Sequence, residues 1–141
     1  MNPIARNIVA AIAGFVIGSV VNLGLVTLGM SVVPLPEGTD VSTMEAVRES
    51  MKLLPPVNFI FPLLAHALGT LTGAFVAARL AASHPMKFAI GMGVSFLIGG
   101  IAMIFNCGGP VWFIASDLLL AYIPMALLGG LLAGGKRSPT A

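Results

Sequence analysis

Four uninterrupted apolar runs dominate the chain: Ile8 to Met30, Phe59 to Ala82, Met86 to Phe105 and Val111 to Ala133. Each supplies about the 20 residues that a helix needs to cross roughly 30 Å of hydrocarbon. Strands of a membrane barrel would alternate apolar and polar positions over about ten residues, and these runs do not alternate. Within lipid the backbone must satisfy its own hydrogen bonds, which leaves the helix as the remaining solution. Ser83-His84-Pro85 and Asn106-Cys107-Gly108-Gly109-Pro110 separate the last three runs with turn-forming residues. The reading is an all-α integral membrane protein, a single domain over residues 1–141. Its architecture is a four-transmembrane-helix bundle running up-down-up-down.

Composition removes the main alternatives. Charged residues make up 9% of the chain, against roughly a quarter in a soluble domain, so they cannot cover a water-facing surface. A net charge of +2 spread over the sequence offers no basic patch for nucleic acid. The single cysteine, Cys107, excludes a disulfide within the chain and a multi-cysteine metal site. Arg6 followed by an apolar run has the look of a secretory signal. However, the run is longer than a typical signal core and no small-x-small site stands out before Pro34, so it is read as a retained helix.

Basic residues set the expected orientation. Arg6, Arg79, Lys87, Lys136 and Arg137 fall on one side without an acidic neighbour, whereas Arg48 and Lys52 share the other with Glu37, Asp40, Glu45 and Glu49. The positive-inside rule then puts both termini in the cytoplasm of a bacterial inner membrane. Trp112, Phe113, Phe59 and Phe61 are expected to form an aromatic belt at the outer interface. Residues 31–58 become an extracytoplasmic loop. Within it, Ser42-x-x-Glu45 has the pattern of a capping box, and Met44, Val47, Met51 and Leu54 recur at helical spacing. A short amphipathic helix is expected there, lying in the interface or capping the mouth of the bundle.

Apolar side chains give helices no reason to associate in lipid, but small residues four apart let their backbones approach. The first span offers Gly14 and Gly18, the second Gly69 and Gly73 with Ala77, the third Gly91, Ser95 and Gly99, and the fourth Ala126, Gly130 and Gly134. These rows are expected to be packing faces, and any of them could face a second copy of the chain.

Polar residues inside the spans are costly, roughly 2.5–3.5 kcal/mol for a central Asp on insertion scales. Asp117 is the clear case, about 9 Å below the outer end of its span; His66 and Asn22 lie about 10 and 12 Å down theirs. Residues from three helices thus share one layer in the outer half of the membrane. Tyr122 is close enough in sequence to add a hydroxyl, and Pro124 leaves the Leu120 carbonyl without its helical partner. Such a layer can hold a proton, bind a cation or polar head group, or simply fix helix register as buried polar glue.

Other chemistry finds little support. A haem usually wants two axial ligands, and only His66 is well placed, so no cofactor or metal is expected. His84 belongs to a solvated turn, Cys107 to an exterior turn, and the methionines to scattered filler. In size and span number the chain is similar to the small multidrug transporters. Their membrane carboxylate lies in the first helix and this one in the fourth, so no site residue carries over. The leading expectation is a non-catalytic accessory or assembly module whose partners are the bilayer and either a homo-oligomer or a larger membrane complex. Next comes a small transporter or ion/lipid-binding protein using Asn22, His66, Asp117 and Tyr122. An intramembrane enzyme with His66 as base and Asp117 as its orienter ranks last.

Overall fold

The computed structural model of the chain describes residues 1–134. Its helices are α1 (Pro3–Val32), α2 (Met44–Ser50), α3 (Ile60–Leu80), α4 (Pro85–Cys107), α5 (Val111–Leu120) and α6 (Ile123–Leu132). A 3-10 turn over Pro56–Phe59 runs directly into α3. Four helical stretches are long and apolar enough to cross a membrane: α1, the 3-10 turn with α3, α4, and α5 with α6.

α1 begins five residues earlier than the apolar run, because Asn2 caps it and Pro3 is preformed for a first helical turn. At 30 residues it is about 45 Å long, more than the hydrocarbon requires. The extra turn has a use. Arg6 Nε donates to the Leu80 carbonyl at 2.8 Å, and Asn7 Oδ1 accepts from the Ala82 N–H at 2.7 Å. Both contacts fall at the C-terminus of α3, where a cation complements the helix dipole.

Close backbone packing joins α1 to α3 in antiparallel order. A Cβ on Gly14 would come 2.6 Å from the Gly73 carbonyl, and one on Gly18 would come 2.7 Å from the Gly69 carbonyl. Seen from α3 the fit is reciprocal, with Gly73 against Gly14 and Gly69 against Gly18. On the other side of α3, α4 and α6 pack around small residues. Gly93 faces Ala126, Gly130 faces Ala89 and Met86, and Gly129 faces the Leu71 carbonyl.

The third span packs on a different face from the one expected. A Cβ on Gly91 or Gly99 would meet nothing within 4 Å, and Ser95 is exposed. The inward face carries Ala89, Met92, Gly93 and Gly100 instead. The sequence offers two small-residue rows two residues apart, and the span turns the Ala89/Gly93 row inward. Gly134 in the fourth row also packs on nothing; its φ of +85° marks it as the residue that ends the helix.

Three further expectations shift. The capping residue of α2 is Thr43 rather than Ser42: its Oγ1 accepts from the Ala46 N–H at 3.1 Å, while the Ser42 N–H is taken by Asp40 Oδ1 at 2.8 Å. Glu45 therefore sits one position too early to close a capping box. Phe59 and Phe113 are buried against each other, ring centroids 5.0 Å apart, so of the aromatic group only Trp112 is well exposed. Cys107 is not an exterior thiol but the buried last residue of α4, with Sγ 3.1 Å from Met44 Sδ. His84 does lie exposed in its turn, as the one non-glycine residue of the described chain with positive φ (51°).

The fourth span is broken. Ala121 and Tyr122 interrupt it, and Tyr122 adopts φ −111°, ψ −79°. Pro124 has no N–H to offer the Leu120 carbonyl, so the ladder stops after Ala121 N to Asp117 O and resumes with Ala126 N to Tyr122 O. The break turns Tyr122 into the bundle, where it is 2% exposed.

Candidate functional site

Asp117 is 1% exposed and both of its oxygens are used. His66 Nδ1 lies 2.7 Å from Oδ1, and the Tyr122 hydroxyl donates to Oδ2 at 2.8 Å. The same hydroxyl is 3.1 Å from His66 Nδ1, so the three side chains close a triangle. Hydrogen bonds of this kind are what make a buried carboxyl tolerable. An ionised Asp117 can only accept, which puts the hydrogen on Nδ1 and leaves the lone pair on Nε2.

Local sequence explains the convergence. Asp117 and Tyr122 are five residues apart, too far round a continuous helix to share a face, and the interruption at Ala121 brings them together. Gly100 on α4 leaves room for the Tyr122 hydroxyl, which a Cβ there would strike. His66 and Tyr122 also stack, with ring centroids 5.8 Å apart and planes 29° apart.

Two spaces meet at this triangle. On one side α1 scarcely touches α4, leaving a cleft of about 270 Å³ in the flank of the bundle. His66 and Tyr122 form part of its wall; Ser19, Asn22, Thr70 and Ser95 are its other polar residues. Asp117 does not line it. Phe15 and Phe96 form an apolar wall, with parallel rings (8°) whose centroids are 5.5 Å apart. The other space, about 190 Å³, lies toward α2 and reaches His66 and Asp117 past Met51, Met103 and Cys107.

Of the four residues singled out from the sequence, the structure joins His66, Asp117 and Tyr122 in one network. Asn22 stands nearby in the cleft wall against Gly69, without a hydrogen bond to the other three. Sequence reasoning missed Thr70. It is 1% exposed, lines the cleft, and its Oγ1 is the one buried side-chain N or O atom among the described residues with no hydrogen-bond partner. Its position one turn after His66 was the available signal. Ser95 and Gly99, expected to pack against a helix, instead edge the cleft.

The Asp117–His66 pair has the orientation that prepares an imidazole to accept a proton. Among the described residues no hydroxyl hydrogen-bonds Nε2, and no group of three or more His, Cys, Asp or Glu side chains could hold a metal ion. The arrangement is suited to binding a polar group and exchanging a proton with it. No protein-family model matches the chain, and no curated protein or solved structure is significantly similar to it.

Proposed function

We propose that this chain is a small multi-pass membrane protein that binds a ligand at the His66–Asp117–Tyr122 site, in the outer half of the bilayer. The observation that carries the reading is Thr70. A buried hydroxyl without a partner costs about 1–3 kcal/mol, and a turn of the Thr70 side chain toward the adjoining cleft would let a ligand supply the missing bond. The chain acts as a binding protein or small transporter, without covalent chemistry of its own.

Both termini are proposed to be cytoplasmic, in a bacterial inner membrane. Support comes from Arg6, Arg79 and Lys87, which share the end opposite the acidic loop around α2. Lys136 and Arg137, which add to that count in the sequence, lie outside the described residues. The apolar stripe of α2 is proposed to cap the bundle mouth, since Val47, Met51 and Leu54 line a space shared with Phe59 and Phe113.

The test is native mass spectrometry of protein released from its own membrane, with Asp117→Asn alongside. A bound small molecule lost in the folded variant supports the site. An empty wild type, or a variant that only melts earlier, sinks it. The accessory-module reading draws on Gly24 and Gly91, exposed small residues that meet nothing within 4 Å. It requires a stoichiometric partner, or a second copy, in the same spectrum.

A further inference from the structure

The cleft also constrains what kind of molecule it takes, and this step rests on the reading above. We infer that its ligand is an uncharged, ring-headed amphiphile dissolved in the bilayer, of the quinol and quinone class. Its ring would lie on the Phe15/Phe96 wall and its oxygens would meet Thr70 and His66.

Charge is the first constraint. The polar residues lining the cleft are Ser19, Asn22, Thr70, Ser95, Tyr122 and His66, none of them permanently charged. Asp117 is fully engaged behind them. A phosphate head group would enter without a counter-charge, at a cost of several kcal/mol, and the carboxylate that a cation would seek, Asp117, does not line the cleft and already accepts from His66 and Tyr122. A bare acyl tail fails for the opposite reason, because it would leave the Thr70 hydroxyl as orphaned as it is now.

Access and shape give the rest. The opening lies on the flank, between Phe15 (48% exposed) and Met103 (45% exposed), where the bundle meets lipid rather than water. Gly99 and Ser95 keep that edge low. A volume of about 270 Å³ falls just under the lower limit of roughly 300 Å³ for drug-sized pockets, which suits one ring with its tail outside. Phe15 and Phe96 stack on each other, and a ligand ring can extend that stack on the exposed Phe15 side. In the tautomer that an ionised Asp117 selects, Nε2 accepts, so a ring hydroxyl can donate to it while Thr70 donates to or accepts from the second oxygen. The reduced, hydroxyl-bearing form should bind more tightly.

The experiment titrates the intact protein in phosphatidylcholine nanodiscs with decylubiquinol, decylubiquinone and, as a cationic ring amphiphile, cetylpyridinium. Readouts are native-mass stoichiometry and the shift in Tm. Saturation at one decylubiquinol per chain, severalfold tighter than decylubiquinone, is expected. Gly99→Leu, which fills the mouth, should weaken it at least tenfold, and Phe15→Ala, at an exposed position, severalfold. If Gly99→Leu does not fold, Phe15→Ala carries the test. Cetylpyridinium binding that depends on Gly99 or Phe15, with no decylubiquinol binding, overturns the ligand class but leaves the site standing. If all three partition without saturation and ignore both substitutions, the ligand class is overturned. If the native spectrum is empty as well, the site falls with it.

Discussion

α1 meets two neighbours in opposite ways. Along α3 it is sealed backbone to backbone through Gly14, Gly18, Gly69 and Gly73. Toward α4 the same helix is met mainly by the Phe96 ring, which packs on Gly18 and stacks on Phe15, and beside that bridge Ser19 and Asn22 share a cleft with Ser95 and Gly99. Small residues occur on both sides. With a complementary small row opposite, they allow close approach and van der Waals contact. Where a single large ring, Phe96, reaches across instead, the backbones stay apart and an opening remains beside it. A glycine row in a membrane helix therefore specifies thin walls, and its partner decides whether those walls close.

The largest effect should come from thickening the sealed wall. A Cβ on Gly14 already lies 2.6 Å from a backbone oxygen that cannot rotate away, and Ala77 Cβ is 2.7 Å from the same point. Gly14→Leu is expected to cost about 3 kcal/mol, read as a lowered midpoint in reversible unfolding from detergent. Gly99→Leu has open space ahead of it and should stay within about 0.5 kcal/mol of wild type. Equal losses in the two variants would erase the distinction between seal and cleft.

Next is the triangle that the cleft exposes. Asp117→Leu removes the partner of the buried Tyr122 hydroxyl and of the half-buried His66 Nδ1. A loss of about 2–3 kcal/mol is expected, with Tyr122→Phe costing about 1 kcal/mol because one bond goes and the carboxyl keeps its histidine. A double-mutant cycle between positions 117 and 122 reads the coupling directly. Strictly additive losses would mean that the network does not act as a unit.

How much of this the sequence disclosed differs between the two regions. The four spans and the small-residue rows of α1 and α3 were legible, because hydropathy and four-residue spacing are local properties; that these two rows meet each other was not. The layer of His66 and Asp117 was legible for a related reason: ionisable groups stand out in apolar runs. Hidden were matters of helix phase and of the gap between helices. Ala89 and Gly93 face inward rather than Gly91 and Ser95, a rotation of two positions that spacing alone does not fix. Thr70 reads as an ordinary helix residue until its hydroxyl is found without a partner. Pro124 announced an irregularity, yet only the structure links that irregularity to the turning of Tyr122 toward Asp117.

Thr70 sharpens the comparison with a change of opposite sign. Thr70→Val keeps the shape and deletes a hydroxyl that has no partner. In protein stripped of ligand it should stabilise the fold by about 1 kcal/mol, since an unmatched buried polar group is removed. A destabilised variant would show that the hydroxyl is already satisfied, and the argument for a missing partner would fail.

The smallest effect tests whether the two regions are independent of the loop above them. Lys52 Nζ bonds both carboxylate oxygens of Glu49, at 2.9 and 2.8 Å, and its hydrogen bond and charge hold the Glu49 carboxyl below its ordinary value. A carboxyl lowered in the folded state favours folding above its unfolded pKa and loses that contribution as pH falls through the carboxylate range. Both partners are solvent-exposed, so screening limits the gain to the end of α2. Acidification from neutral pH should speed amide exchange around Ser50 while the seal between Gly14 and Gly73 stays protected. Lys52→Met should remove that pH response without moving the unfolding midpoint. If exchange in α1 and α3 rises together with that of α2, the loop and the bundle form one cooperative unit.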